Sequence, residues 1–192
     1  MATIQHSYDR SFIAYIACTT PGYEGYLDCA TLVLKDGQVG RLADDWMIVT
    51  SEVVREPHRF WFRCLFDESR GRPYYDIQSW SRRTGRDFNS KKRHLDRSYN
   101  GYPGLYEVAP EDDNLWKVIT LQDGKFASMT SIVEVGQKVE ARITTRDNDV
   151  LQAGGCRVVG DGWFASVCTS GGQELDLSLE ILDIGEELLD DQ

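Results

Sequence analysis

Apolar and polar residues alternate along much of the chain. Phe60, Phe62, Cys64 and Phe66 fall on one side of one segment. Val139, Ala141 and Ile143 alternate with Lys138, Glu140 and Arg142, and Leu175, Leu177, Leu179 and Ile181 alternate with Asp176, Ser178 and Glu180. Successive side chains of an extended strand point to opposite faces, so these segments are strands, the last two with one face in water. Phe12 to Cys18 is a continuous apolar run, read as a buried strand because it is short and weakly basic for a signal segment. Apolar positions at helical spacing are confined to the short acidic stretch Leu182 to Leu189. The pattern predicts an all-β fold.

Turn signals punctuate these strands. Asp36-Gly37, Asp123-Gly124 and Asp161-Gly162 are pairs that supply positive φ to two-residue hairpins, and Thr84-Gly85 lies between the first and second. Gly124 to Met129 and Gly162 to Val167 share Phe-Ala-Ser in register at a separation of 38 residues, and Gly85 lies 39 before Gly124. A recurrence of this kind predicts duplicated β units stacked about a common axis, with Gly85, Gly124 and Gly162 at equivalent places.

A second echo is longer. Leu27-Asp28 is followed by Trp46, Leu95-Asp96 by Trp116, and Leu175-Asp176 stands without a tryptophan after it. The stretch Arg93 to Ile119 resembles one repeat of the ricin-B-type β-trefoil lectins, which begin on a Leu-Asp pair, pass a glycine turn and an aromatic strand, and close on a Gln-x-Trp element. Here Asp44-Asp45-Trp46 and Asn114-Leu115-Trp116 lack that glutamine. The resemblance implies a β-trefoil-like barrel of short antiparallel strands, with tryptophan packing its core. It also implies a carbohydrate site in which Asp96 binds hydroxyls, Tyr106 stacks on the sugar ring, and Asp113 with Asn114 closes the pocket. Asp28 matches the aspartate of the first unit, but Val39 to Ala43 offers no aromatic residue, so one competent site is expected. The residues themselves also allow another β barrel, such as a calycin-like cup, or two small β domains.

Composition narrows the functional classes. The chain has 192 residues, enough for one domain with a substantial core, and 1–192 is read as a single all-β domain with an acidic tail over 183–192. Aromatics at 11% and 17 glycines against 5 prolines suit many short strands joined by tight turns. Net charge is −10, which makes nucleic acid an unfavourable partner. Between Arg70 and Arg97, however, nine basic residues meet three acidic ones. Within that window Arg82, Arg83, Lys91, Lys92 and Arg93, interleaved with Trp80 and Phe88, form a candidate anion-binding patch for a sulfated glycan or single-stranded nucleic acid, the acidic balance elsewhere arguing against the latter. No apolar run reaches the length of a membrane-spanning helix. The five cysteines are widely spaced, without a Cys-x-x-Cys pair, and read as thiols of a cytoplasmic protein with no metal site.

Candidate chemistry is sparse. His6, His58 and His94 stand in no sequence relation to a serine or cysteine nucleophile, and no hydrolase, zinc-protease, phosphate-loop or dinucleotide motif occurs. Arg146-Asp147-Asn148-Asp149 and Glu111-Asp112-Asp113-Asn114 read as polar turns, since the turn glycine and distal glutamate of a calcium loop are absent. The expectation is therefore a protein without enzymatic activity or cofactor. It would bind a glycan through Asp96, Tyr106, Asp113 and Asn114, or act as an acidic protein-binding module, of the inhibitor or immunity type, whose loops engage a partner protein.

Overall fold

The structure is a computed structural model and describes residues 4–80 and 92–185. The described residues are all-β: sixteen strands joined by turns, with two single-turn 3₁₀ segments at Tyr8–Arg10 and Asp112–Asn114. Six strands carry the core: β2 (Phe12–Cys18), β5 (Arg59–Asp67), β6 (Arg72–Trp80), β9 (Lys117–Gln122), β11 (Lys138–Thr144) and β16 (Leu177–Ile184). β2 pairs with β5, β5 with β6, β9 with β11, β11 with β16, and β16 with β2, all antiparallel. One further pair, Tyr75 opposite Trp116 just ahead of β9, joins β6 to β9. There Tyr75 N–H donates to the Trp116 carbonyl at 2.8 Å and Trp116 N–H to the Tyr75 carbonyl at 2.9 Å. The six strands thus close into a ring.

Alternation explains what fills it. Phe12, Ala14 and Ile16 of β2, Phe60, Phe62 and Cys64 of β5, Val118 of β9, and Leu177, Leu179 and Ile181 of β16 all belong to one buried cluster. Phe12 stacks on Phe62 with centroids 4.7 Å apart, and Tyr75 meets both rings edge-on. Trp116 is fully buried in this cluster and its indole N–H donates to the Leu95 carbonyl at 2.8 Å. An aromatic with a polar tip is stable in a core when that tip finds an acceptor. Burial also pushes the Cys64 thiol up to about 12.

Three insertions in the ring form a crown at one end. Between β2 and β5 lies the long hairpin of β3 (Gly25–Lys35) and β4 (Gln38–Thr50), and between β6 and β9 the short hairpin of β7 (His94–Arg97) and β8 (Pro103–Tyr106). Between β11 and β16 come β12 (Gln152–Ala153), β13 (Arg157–Val159), β14 (Gly162–Cys168) and β15 (Gln173–Glu174). The insertions touch one another. Trp46 of β4 pairs with Gly104 of β8, and Phe164, Ala165 and Ser166 of β14 pair with Thr50, Val49 and Ile48 of β4. Thr169 N–H donates to the Gly101 carbonyl at 2.9 Å. Leu27, Leu95 and Leu151 are each fully buried near the start of one insertion. Outside this scheme β1 (Ile4–His6) lies along β5 and β10 (Lys125–Ser128) along β9.

The glycine recurrence does not mark equivalent places. Asp36-Gly37 turns the β3–β4 hairpin and Asp123-Gly124 turns β9–β10, both with two positive φ values (52° and 76°; 48° and 75°). The first tips a crown insertion, whereas the second joins a ring strand to the extra strand β10. At the third, the turn is Gly160-Asp161, with Gly160 at φ 61°, and Gly162 has become the first residue of β14. A Cβ on Gly162 would fall 2.6 Å from Glu52 Oε1. Accordingly Phe164 is buried and Phe126 is 44% exposed, although the two match in sequence. Gly85 lies outside the described residues. The first two copies of the Leu-Asp echo sit in β3 and β7, whereas Leu175-Asp176 stands just ahead of β16. The acidic stretch 183–192 begins inside β16, and its residues beyond Gly185 lie outside the described ones. No helix among the described residues is long and apolar enough to cross a membrane.

Candidate functional site

The outer face of β6, β7 and β8 carries an unusual concentration of polar side chains. Gln78 pairs with His94 across β6–β7, and His94 pairs with Tyr106 across β7–β8. Asp96 pairs with Gly104, and Gly104 with Trp46 of β4. Directly opposed residues on neighbouring strands project to the same side. Two rows result: Gln78, His94 and Tyr106 in one, and Asp96, Gly104 and Trp46 in the next.

Trp46 reaches this face because of a bulge. On β4, Met47 pairs with Cys29 but the next pair is Ala43 with Ala30, so Asp44, Asp45 and Trp46 are looped out of the β3–β4 ladder. A bulge frees a segment to aim its side chains elsewhere. The freed Trp46 turns to β8 and rests against Gly104, where an added Cβ would stand 2.9 Å from ring atom Cε3 and 3.0 Å from Cζ3. The indole is 47% exposed. Asp45, in the same bulge, accepts a hydrogen bond from Lys92 Nζ at 2.8 Å, and this bond to Asp45 holds the Lys92 ammonium above its ordinary range. The ion pair fastens the bulge to the strand entering β7.

Two carboxylates lie under this surface. Asp76 is 1% exposed; Gln78 Nε2 donates to its Oδ2 at 2.8 Å, and His94 Nδ1 lies 3.0 Å from each of its oxygens. A carboxylate buried this deeply costs several kcal/mol unless it is hydrogen-bonded, and here both oxygens are used. Asp96 is half-buried, and its Oδ1 accepts the Arg97 N–H at 2.7 Å. Among the described residues Asp96 Oδ2 takes no hydrogen bond. Burial raises the Asp96 carboxyl above the ordinary aspartate range, with the Glu111 and Asp76 charges adding to the rise and the Arg97 N–H and guanidinium opposing it. Tyr106 is raised as well, by burial first and then by the Asp96 charge.

The four residues expected to hold a sugar are therefore split. Asp96 and Tyr106 share the face with Trp46. Asn114 lies in a separate open cleft of about 460 Å³, lined also by Arg97, Ser98, Gly101 and Thr169, where Arg97 Nη2 approaches Asn114 Oδ1 at 3.5 Å. Arg97 is one residue from Asp96 on the strand and so projects to the opposite side. Asp113 is 98% exposed at its side chain and faces Arg146 at 3.7 Å. Of the candidate anion-binding residues, Lys92 is engaged with Asp45, and Arg93 is held through its main chain to Tyr106 and Ser79. Arg82, Arg83 and Lys91, and Phe88 with them, lie outside the described residues. Asp147, Asn148 and Asp149 form a turn closed by Thr145 N–H to the Asp149 carbonyl at 3.0 Å. Among the described residues no three His, Cys, Asp or Glu side chains are grouped to hold a metal ion.

Sequence reasoning missed Trp46, Asp76, Gln78 and His94. Trp46 reads as a core tryptophan by analogy with Trp116, and nothing local signals that three residues leave the ladder. Two histidines that stand in no sequence relation to a serine are beside one in space: His58 Nε2 lies 2.8 Å from Ser79 Oγ, and His6 Nε2 3.3 Å from Ser11 Oγ. None of the family models, curated proteins or solved structures compared with the chain matches it.

Proposed function

We propose that the chain is a carbohydrate-binding protein of β-trefoil architecture, with one saccharide site on the face shared by Asp96, Tyr106 and Trp46. The strand order supports the architecture. Each insertion lies between two strands that are adjacent in the ring, and each contributes a buried leucine at the same point, namely Leu27, Leu95 and Leu151. In this reading two four-stranded units and a third of six strands close into a ring with a three-part crown.

The observation that carries the functional reading is the row Asp96, Gly104, Trp46. Sugars present vicinal hydroxyls and one apolar ring face, so their recognition calls for a hydrogen-bonding carboxylate beside an exposed aromatic. Here a carboxylate with one oxygen uncommitted and a half-exposed indole stand in one row across three strands, the indole resting on the glycine between them. Tyr106 borders this row diagonally from Asp96. Retention of the protein on immobilised galactose, or on spots of a glycan array, tests the proposal. Binding is expected to fall sharply for Asp96→Ala and Trp46→Ala and to persist for Asp113→Ala. A protein that binds no glycan, or binds one equally well in all three variants, refutes it.

A further inference from the structure

We propose that Ser79 is a nucleophilic serine, deprotonated by His58 and aligned through Asp28, that accepts the acyl group of a small carboxylic ester. This goes beyond the saccharide site and does not depend on it, since Ser79 is on the opposite side of β6 from Gln78. Ser79 Oγ lies 2.8 Å from His58 Nε2, and His58 Nδ1 lies 3.3 Å from Asp28 Oδ1. The three residues come from β6, from the residue preceding β5, and from β3. A nucleophile within hydrogen-bond reach of a base that a third group orients is the arrangement nucleophilic catalysis requires, whatever the chain order. Contacts that are somewhat long without substrate are normal for such sites.

Asp28 is itself held in place. Arg41 grips Asp28 with two parallel bonds, Nε to Oδ2 at 2.6 Å and Nη2 to Oδ1 at 2.7 Å. Arg41 Nη2 also lies 3.4 Å from His58 Nδ1, so both groups meet the same ring nitrogen. The reaction uses the tautomer with its hydrogen on Nδ1 toward Asp28 Oδ1, which turns the lone pair of Nε2 to the Ser79 hydroxyl. Phe60, fully buried, meets the imidazole edge-on with centroids 4.7 Å apart and fixes its plane. The Asp28–Arg41 pair already satisfies its own charges, and the imidazole extends it to a half-buried hydroxyl at the end of the barrel. The other charged groups beside His58 are Glu52 and Glu56, from the segment between β4 and β5.

In the reaction, a bond forms between Ser79 Oγ and the ester carbonyl carbon while the hydroxyl proton passes to His58 Nε2. The bond to the alcohol oxygen then breaks, and the departing alkoxide takes that proton. Water repeats the sequence at the acyl-serine: its proton goes to His58, the carboxylic acid leaves, and Ser79 recovers its hydrogen. Asp28 and Arg41 touch no reacting atom and are positioning residues.

The test treats the full chain with an alkyl fluorophosphonate, which replaces its phosphorus–fluorine bond by a bond to an activated serine oxygen and releases fluoride with the serine proton. Intact mass and peptide mapping are expected to show one adduct, at Ser79, absent from Ser79→Ala. Labelling of His58→Gln is expected to slow by about 100-fold or more. Asp28→Asn is expected to move the midpoint of the labelling rate against pH, with Asp28→Glu restoring part of the shift, whereas a bracing role would leave that midpoint in place. Hydrolysis of p-nitrophenyl acetate is expected to lose its saturable part in Ser79→Ala. Circular dichroism shows which variants fold. Wild-type protein that acquires no Ser79 adduct while a control serine esterase is labelled overturns the proposal without recourse to any variant, as does undiminished labelling of a folded His58→Gln protein.

Discussion

Replacing Gly104 by alanine adds a single methyl group at the centre of the Asp96–Trp46 row. Its carbon would stand 2.9 and 3.0 Å from two atoms of the Trp46 ring and 3.3 Å from the Asp45 carbonyl oxygen. Carbon atoms in contact rest at about 3.5–4.0 Å, so the ring must retreat by roughly 0.5–1 Å or swing outward. Because the indole is 47% exposed it can swing, and the fold is expected to lose about 1 kcal/mol, the lower end of overpacking costs. Saccharide affinity is expected to fall further, by about 5- to 30-fold, the equivalent of 1–2 kcal/mol from a displaced stacking surface. Titration calorimetry with the glycan retained on the array measures the second number, and urea unfolding the first. The two substitutions Gly104→Ala and Trp46→Ala act on one contact, so together they are expected to weaken binding no more than Trp46→Ala alone. Additive losses, or wild-type affinity in Gly104→Ala, would show that the indole does not receive the ligand.

Other outcomes follow from the same geometry. Ionised Asp96 is the stronger acceptor of sugar hydroxyls, and burial raises its carboxyl, so affinity is expected to decline on acidification at pH values already above the ordinary aspartate 3.8. The sign for stability is reversed: a carboxyl raised in the folded state binds protons more readily there than when unfolded, so its contribution is lost as pH rises through the raised value. Asp96→Asn is therefore expected to melt at a higher temperature than wild type at pH 7, with the advantage vanishing in acid, while binding sugar less well. Trp116→Phe removes the indole N–H from the buried Leu95 carbonyl and leaves a smaller ring in a fully buried site, and chemical denaturation is expected to register a loss of about 2–4 kcal/mol. Of the five thiols, Cys156 is exposed and the other four are buried, so a disulfide reagent at pH 8 is expected to titrate one group quickly and the rest on unfolding.

The ring strands were legible because each has one wet and one dry face or is apolar throughout. Phe60, Phe62 and Cys64, or Leu177, Leu179 and Ile181, state their register in the order of their residues. The insertions were legible where an apolar residue and an aspartate recur at the same step of a strand, as at Leu27-Asp28 and Leu95-Asp96. In the third insertion the buried leucine is Leu151, followed by Gln152, which carries no charge, so the sequence pattern points to Leu175-Asp176 instead. Turn chemistry misled for a different reason. Glycine one place before Asp161 supplies the positive φ, so the Asp-Gly pair there is displaced by one residue and every side chain after it changes face relative to its supposed counterpart.

The candidate sites were less legible because their parts meet across strands. The bulge at Asp44 to Trp46 leaves no local mark, since a three-residue departure from the ladder depends on what β8 offers as an alternative neighbour. Asp28, His58 and Ser79 are brought together by pairing of β2, β3, β5 and β6, and the span between Asp28 and Ser79 has no periodicity that would connect them. Asp113 and Asn114 were expected beside Asp96, but the residue following a strand position faces the other way, and Arg97 takes Asn114 to a different surface.

Closure of the ring between β6 and β9 rests on the one reciprocal pair formed by Tyr75 and Trp116, whereas β5 and β6 are zipped along nine pairs. Such a seam is the natural place for the wall to part during thermal breathing. The indole anchored on Leu95 acts as a latch across it, tying the seam to the crown rather than to either flanking strand. An agent that loosened the crown would therefore unfasten the barrel as well, and the face that we assign to ligand recognition sits directly over that latch.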